Sequence, residues 1–508
     1  MLKNNYIKRT IYLVLIIILF KPTWLINAEN FGSAGDDLSY WIHSSTLAFD
    51  GDLNYKEDHF FESSIYDTET NAPYHSPGSG YAAAPFVKVF SYLDQQSQIG
   101  DIRINPVGSY ALLGFLFSTL LFCFLGFYFF NKLIDFKQIK INKKILYLFI
   151  FAGTLVHYVS VRFLMAHAFE FFLVSVILYI FETKSELNKN NVFFLLLISY
   201  FLLAITRPST FIYSLCLFGF YYKKFKIEKK SAVYNFFSIS FFIFLYNYLA
   251  NKLYNQNFFL LNLDENSTTS GLSSDINFKW ILNGMLESFD LIFSPSMGVL
   301  WSIPVIIFGI ICLSLNKIYL KNLDFIQKFS IFLYIFGCFL VLFVWQGREA
   351  SFGQRLLIGI IPFCSYQVAQ YFNTKNIKII IPFLSITYLG SLFLYSSSNL
   401  TLQYGVTLWD TIIDWAGEDY FLTLASEMIK FENIASVFSR TIFFIDGVFL
   451  TNFFENGNII NTLDFERKSR FLNFIETYNN LEVTYFLLLN LILIYFSFCL
   501  EKLTRNSN

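Results

Sequence analysis

Long stretches of apolar residues, separated by short polar segments, recur along most of the chain. A run of about 18 or more apolar residues can cross the hydrocarbon core of a bilayer as a helix, and a shorter run can be a broken or re-entrant span. Twelve such stretches are present, at residues 10–28, 107–130, 145–160, 168–182, 192–206, 208–221, 233–250, 296–314, 329–345, 355–371, 378–396 and 481–499. The pattern predicts an all-α polytopic membrane protein with about 12 transmembrane helices, in a range of 10 to 13.

Lysine and arginine are concentrated in the short segments on one side of these spans. Because such residues accumulate on the cytoplasmic side, the pattern places both termini in the cytoplasm. Three long segments then lie on the outer side: the acidic first loop 29–106, and the segments 251–295 and 397–480. The predicted organisation is a membrane core over residues 1–396, an outer-face segment with amphipathic helices over 397–480, and a last span with a short tail over 481–508.

The composition excludes several other classes of protein. The chain is 55% hydrophobic and 15% charged, whereas a soluble domain carries about 25% charged residues. Its net charge is zero and it has no basic stripe with interleaved aromatics, so nothing predicts binding to nucleic acid. All six cysteines lie in apolar runs, which excludes a disulfide framework and a CxxC metal site. Residues 10–28 are interpreted as an uncleaved first span, with a signal peptide cleaved after Ala28 as the alternative.

The first outer loop begins with a pair of acidic residues followed by a short helical pattern, "GDDLSYWIHSSTLAF". On a helix that starts near Asp36, the side chains of Asp36, Tyr40 and His43 share one face. The apolar residues face elsewhere, which predicts an amphipathic helix on the outer membrane surface. Asp36 and its neighbour Asp37 lie at the helix N-terminus, where a carboxylate can accept a proton or simply cap the helix. The local pattern leaves both interpretations open.

At the far end of the same loop, His75 lies in "NAPYHSPGSGYAAAPF". Proline and glycine fix the backbone path of such a segment. It is either a rigid functional loop or a simple turn. With Tyr40 and His43, His75 is a candidate substrate-binding residue.

Cationic residues gather at the outer tips of three predicted hairpins. An arginine cluster suits phosphate by charge and by the forked geometry of guanidinium, whereas a single arginine can also simply extend to the membrane interface. Ionisable groups close to the hydrocarbon are costly and often mark a functional site. The candidate phosphate-binding residues are His167, Arg207, Arg348 and Arg355, and Arg162 and Glu170 lie beside His167.

The stretch "GDDLSYWIHSSTLAFDGDLNY" resembles the first outer loop of membrane-embedded GT-C class glycosyltransferases, such as the protein O-mannosyltransferase and aminoarabinose-transferase relatives. Four further stretches resemble the same class in order and spacing, at residues 75–86, 153–174, 291–306 and 345–363. The resemblance covers about residues 30 to 365. Asp37 stands where many relatives have glutamate, and Gln354 where proline is common, so the sugar and the acceptor stay open.

The resemblance implies an inverting transferase of the bacterial inner (plasma) membrane that uses a polyprenyl-phosphate-linked sugar on the outer face. Asp36 would be the general base on the hydroxyl of a lipid or glycan acceptor, with Asp37 in support. No cofactor is expected. A divalent metal is a weaker alternative, because oligosaccharyltransferase relatives use one.

Two other kinds of protein remain as alternatives. A transporter or flippase of lipid-linked sugars would also have about 12 spans, although its charged or broken positions would lie at mid-membrane. An O-antigen polymerase or ligase also uses arginines on the outer side and typically has its large loop in the second half of the chain. The outer segment 397–480 therefore keeps that alternative open.

Overall fold

The computed structural model describes residues 35–55, 75–95, 99–104, 108–151, 154–160, 162–183, 189–221, 299–345, 355–373 and 375–384, together with Pro73, Pro106 and four isolated residues between 241 and 248. The predicted spans 10–28 and 481–499 and the outer segments 251–295 and 397–480 lie outside the described residues.

Every regular element within these ranges is helical, which confirms the all-α prediction for the described part of the chain. The α-helices are α1 (Gly35–Phe49), α2 (Gly78–Ser91), α3 (Ile99–Ile104), α4 (Tyr110–Phe136), α5 (Lys143–Phe151), α6 (Thr154–Ser160), α7 (His167–Thr183), α8 (Lys189–Thr206), α9 (Pro208–Ser214), α10 (Cys216–Tyr221), α11 (Val299–Ser302), α12 (Pro304–Leu315), α13 (Lys317–Lys321), α14 (Phe325–Trp345) and α15 (Ile361–Tyr371). Two short 3₁₀ helices, Arg355–Ile360 and Ile377–Ile380, flank α15.

The longest helix, α4, begins where two side chains satisfy its first backbone N–H groups. Ser109 Oγ accepts a hydrogen bond from Leu112 N at 3.1 Å. The carboxylate of Asp94 accepts from the amides of Tyr110 and Ala111, each at 2.8 Å. A helix N-terminus has four such donors without intrahelical partners, and an acidic side chain there also interacts favourably with the helix dipole. The preceding loop is therefore fixed to the start of α4.

The helices pack as a bundle around α4, which contacts α2 and α7. Glycine allows the closest approaches. A Cβ added to Gly126 of α4 would lie 2.7 Å from the ring of Phe171 on α7, and a Cβ on Gly309 of α12 would lie 2.5 Å from Cys364 Cβ on α15. Real Cβ atoms do not come this close, so larger residues at these two positions would force the helices apart.

One described helix, α4, is long and apolar enough to cross a membrane, with 27 residues and a mean hydropathy of 2.1 in its most apolar window. Three other apolar helical segments are shorter, at Phe194–Thr206, Pro304–Leu315 and Phe325–Val341. The predicted span 208–221 is divided at Leu215 into α9 and α10.

The helix predicted after the acidic pair is present as α1, but it lacks the exposed polar face expected of an amphipathic surface helix. It is buried nearly all round: Tyr40 is 3% exposed and Trp41 and His43 are fully buried. The small residues of α2 explain this burial, since a Cβ on Gly80 would lie only 2.7 Å from His43 Cβ. On the α3 side, the Trp41 indole N–H donates to the Arg103 carbonyl at 3.0 Å. The described start of the first loop is thus packed into the body of the protein.

Candidate functional site

A buried hydrogen-bond network joins α1 to the segment around His75 and to the start of α2. His43 Nε2 lies 2.7 Å from the carbonyl oxygen of His75, and His43 Nδ1 lies 2.7 Å from Tyr55 Oη. A carbonyl can only accept, so Nε2 carries the proton and Nδ1 of the neutral ring accepts from the Tyr55 hydroxyl. Tyr55 Oη in turn lies 2.9 Å from Tyr81 Oη on α2. Both nitrogens of His43 are engaged inside the protein, so His43 positions His75 instead of contacting a substrate itself.

His75 is held by α1 from a second direction. Its Nδ1 lies 3.1 Å from Ser39 Oγ, and its ring centroid lies 5.5 Å from that of Tyr40. His75 is half-buried, whereas Tyr40 is buried. The structure therefore brings together all three candidate substrate-binding residues, with His75 the most accessible of them.

We expect the protein to lose stability as the pH falls below about 6.5, the usual pKa of an unfolded histidine. Burial lowers the pKa of His43 to about 3, although the hydrogen bond to the His75 carbonyl opposes the shift. Between these two values the unfolded chain binds a proton that the folded chain excludes, so unfolding is favoured by acid. From pH 7.5 to pH 5.5 this single group lowers the free energy of unfolding by about 1.4 kcal/mol.

Thermal unfolding in detergent at the two pH values measures this effect. The His43→Gln variant has no imidazole at this position, so its unfolding midpoint should change less with pH than that of the wild-type protein. Equal changes in the two proteins would contradict the assignment of this pH dependence to His43.

The second acidic residue of the pair, Asp37, forms a buried ion pair. Its Oδ2 accepts from Arg162 Nε at 2.7 Å, and both side chains are 10% exposed. Arg162 lies 125 residues further along the chain, in the turn that precedes α7. Asp36 occupies the second position of α1, and its side chain lies outside the described part of the structure. The pair fixes the start of α1, and with it the backbone that carries Asp36, against the body of the protein.

A fully buried carboxylate, Glu170 on α7, is contacted by candidate phosphate-binding residues from two predicted hairpins. His167 Nδ1 lies 3.1 Å from Glu170 Oε2, and because a carboxylate only accepts, Nδ1 is the donor. Arg207, which directly precedes α9, places Nε 3.7 Å from the same oxygen. The Thr210 hydroxyl donates to the other oxygen, Oε1. Tyr213 extends the chain by donating to Thr210 Oγ1 at 3.1 Å.

Arg355 begins the 3₁₀ helix before α15 and lies in the same neighbourhood. Its Nη1 is 3.4 Å from Met165 Sδ, in the turn between Arg162 and α7. Both Arg207 and Arg355 are within electrostatic range of the His167 ring. Three of the four candidate phosphate-binding residues are therefore gathered, and the fourth, Arg348, lies outside the described residues.

The turn 162–167 connects the acidic pair to this cationic cluster. Within these six residues, Arg162 pairs with Asp37, Met165 contacts Arg355 and His167 contacts Glu170. The turn is closed by a backbone hydrogen bond from Met165 N to Arg162 O at 3.1 Å. A carboxylate-bearing helix and two guanidinium groups therefore contact one short segment, an arrangement that can bring a hydroxyl group and a phosphate close together.

Two residues of this site, Arg162 and Glu170, were noted in the sequence without a function. The sequence did contain a signal for Glu170, since a carboxylate inside an apolar helix needs a partner and His167 precedes it by three residues. No sequence signal connects Asp37 to Arg162 or Glu170 to Thr210, because those contacts form between distant segments.

Within the described ranges, no group of three or more His, Cys, Asp or Glu residues could hold a metal ion. The chemistry that these residues offer is that of carboxylates, guanidinium groups and imidazoles. No protein-family model, curated protein or solved structure matches the chain.

Proposed function

We propose that this chain is a membrane-embedded glycosyltransferase with GT-C-like architecture and about 12 transmembrane helices. It moves a sugar from a polyprenyl-phosphate donor to a hydroxyl of a lipid or glycan acceptor, on the outer face of a bacterial inner membrane. The observation that carries the proposal is the turn 162–167, which contacts the Asp36–Asp37 helix through Arg162 and the cationic cluster through Met165 and His167. The resemblance of five ordered stretches to GT-C enzymes supports the same function.

In the proposed reaction Asp36 removes the proton from the acceptor hydroxyl as its oxygen attacks the anomeric carbon. The bond between that carbon and the phosphate oxygen breaks, the configuration inverts, and polyprenyl phosphate leaves with the bonding electrons. Arg207 and Arg355 stabilise the negative charge on the leaving phosphate, because charge-assisted hydrogen bonds are strong in a water-poor site. Arg348 is proposed for the same role. His167 supports this site by donating its Nδ1–H to Glu170, which lies beside Arg207.

The remaining residues of the site position the reacting groups. Asp37 holds the start of α1 through Arg162, and His43 holds the backbone of His75. Tyr40 and His75 are proposed to contact the sugar or the acceptor. The apolar helix α4 and the lysine distribution support a location in the membrane with both termini in the cytoplasm.

The experiment that tests the function uses the full-length protein in lipid vesicles with synthetic undecaprenyl-phosphate mannose, glucose and arabinose. The proposal predicts the release of undecaprenyl phosphate from at least one donor and the appearance of the sugar on a hydroxyl acceptor. A flippase would instead move a fluorescent donor across the bilayer and leave the sugar–phosphate bond intact. Translocation without cleavage would therefore contradict the transferase and favour the transporter.

A further inference from the structure

The cationic cluster contains a feature that a simple phosphate site does not need, the buried carboxylate Glu170. Glu170 is fully buried, and its two oxygens are held from different sides. Thr210 donates to Oε1, and His167 Nδ1 donates to Oε2. The backbone of Gly359 closes the remaining space, since a Cβ there would lie 2.6 Å from Glu170 Oε1. The carboxylate is thus fixed in place.

Arg207 is placed differently, because its contact with Glu170 is electrostatic and not a hydrogen bond. The distance from Arg207 Nε to Glu170 Oε2 is 3.7 Å, which exceeds the hydrogen-bond range. Arg207 Nε is buried and has no hydrogen-bond acceptor among the described residues. A buried donor without an acceptor is costly, so this position favours an anionic oxygen supplied by a ligand.

We infer that Glu170 is an internal counter-ion that competes with the substrate phosphate for Arg207. This inference rests on the proposed function. Before the donor binds, Glu170 partly neutralises Arg207 and orients His167, so that the charge of Arg207 is not left uncompensated. When the donor binds, a phosphate oxygen accepts the hydrogen bond of Arg207 Nε, and Glu170 stays with Thr210 and His167. The carboxylate then repels the bound phosphate.

This repulsion has a consequence for turnover. The product, polyprenyl phosphate, carries more negative charge than the phosphodiester donor, so Glu170 weakens product binding more than donor binding. Glu170 is therefore a positioning residue that also promotes product release. Without it the cluster would bind phosphate more tightly and release the product more slowly.

The test compares Glu170→Gln with Glu182→Gln in the full-length protein in detergent. Glutamine keeps the shape of Glu170 and its ability to accept from Thr210, but removes the charge. Glu182 is the matched control, because it is buried on the same helix and pairs with Lys137 Nζ at 2.5 Å, near the opposite end of the helix. Binding of geranyl phosphate, inorganic phosphate and geraniol is measured by titration of the unfolding temperature.

We expect Glu170→Gln to unfold at a lower temperature without ligand and to bind geranyl phosphate about tenfold tighter or more. Glu182→Gln should change the unfolding temperature but leave the affinity for geranyl phosphate unchanged. Unchanged or weaker phosphate binding by Glu170→Gln would overturn the inference. Tighter binding of inorganic phosphate, with no preference for geranyl phosphate, would support the counter-ion and overturn the lipid-phosphate donor. Absence of phosphate binding in all three proteins would overturn both.

A double variant keeps the test decisive if Glu170→Gln does not fold. Glu170→Gln/Arg207→Gln removes both charges, so it should recover most of the wild-type unfolding temperature and bind phosphate more weakly than the wild type. A double variant that is no more stable than Arg207→Gln alone would overturn the inference.

Discussion

Replacement of Asp36 with asparagine is expected to slow sugar transfer by about 10²–10⁴-fold, the usual contribution of a general base. Asparagine has almost the shape of aspartate but cannot accept a proton from the acceptor hydroxyl. Asp36→Ala should lower the rate to a similar degree. The rate is measured with a saturating donor in vesicles that contain equal amounts of folded protein.

The matched control for this prediction is Asp52→Asn. Asp52 is an exposed aspartate just beyond α1, and its Oδ1 accepts a hydrogen bond from the Asn54 backbone amide at 3.0 Å. The control should therefore retain the wild-type rate. The affinity for geranyl phosphate should be similar in Asp36→Asn and the wild type, because Asp36 acts on the acceptor and not on the phosphate. Full transfer activity in both Asp36→Asn and Asp36→Ala would contradict its role as the base.

Several of the described helices could be placed from sequence because an apolar run carries its own signal. The span predicted at 107–130 corresponds to α4, and the span predicted at 168–182 to α7. The position of α1 was also predictable from the acidic pair and the helical pattern after it. Its burial was not, because the α1 pattern does not reveal the glycine and alanine run of α2 that packs against it.

The sequence could predict which residues belong to the candidate site, but not which of them contact each other. Charge counting placed His167, Arg207 and Arg355 on one side of the membrane. It could not indicate that Glu170 would lie between two of them, since the Thr210–Glu170 contact spans 40 residues. Charge counting also could not assign different roles to Asp36 and Asp37. In the fold Asp37 pairs with Arg162, and Asp36 is the proposed base.

The ion pair between Asp37 and Arg162 gives the largest expected effect on stability. Arg162→Ala should lower the free energy of unfolding by about 3–5 kcal/mol, because it leaves the buried carboxylate of Asp37 without the guanidinium that compensates its charge. The double variant Asp37→Asn/Arg162→Ala removes both charges and should recover much of this loss. Unfolding in detergent, followed for the wild type, Asp37→Asn, Arg162→Ala and the double variant, gives the coupling free energy directly.

The pair of Arg103 with Asp50 provides the control, because it also ties α1 to another part of the first loop. Its side chains are 21% and 34% exposed, and water screens such pairs, so Asp50→Asn should lower the free energy of unfolding by about 1 kcal/mol or less. If Asp50→Asn and Arg162→Ala lowered the free energy of unfolding equally, the Asp37–Arg162 pair would contribute only to the packing of α1. The alternative result is a larger loss of stability in Arg162→Ala, together with slow transfer in Asp37→Asn/Arg162→Ala even though its stability has recovered. That result would mean that the ion pair aligns Asp36 with the cationic cluster. The second result is the one we expect, since Arg162 belongs to the same turn as Met165 and His167.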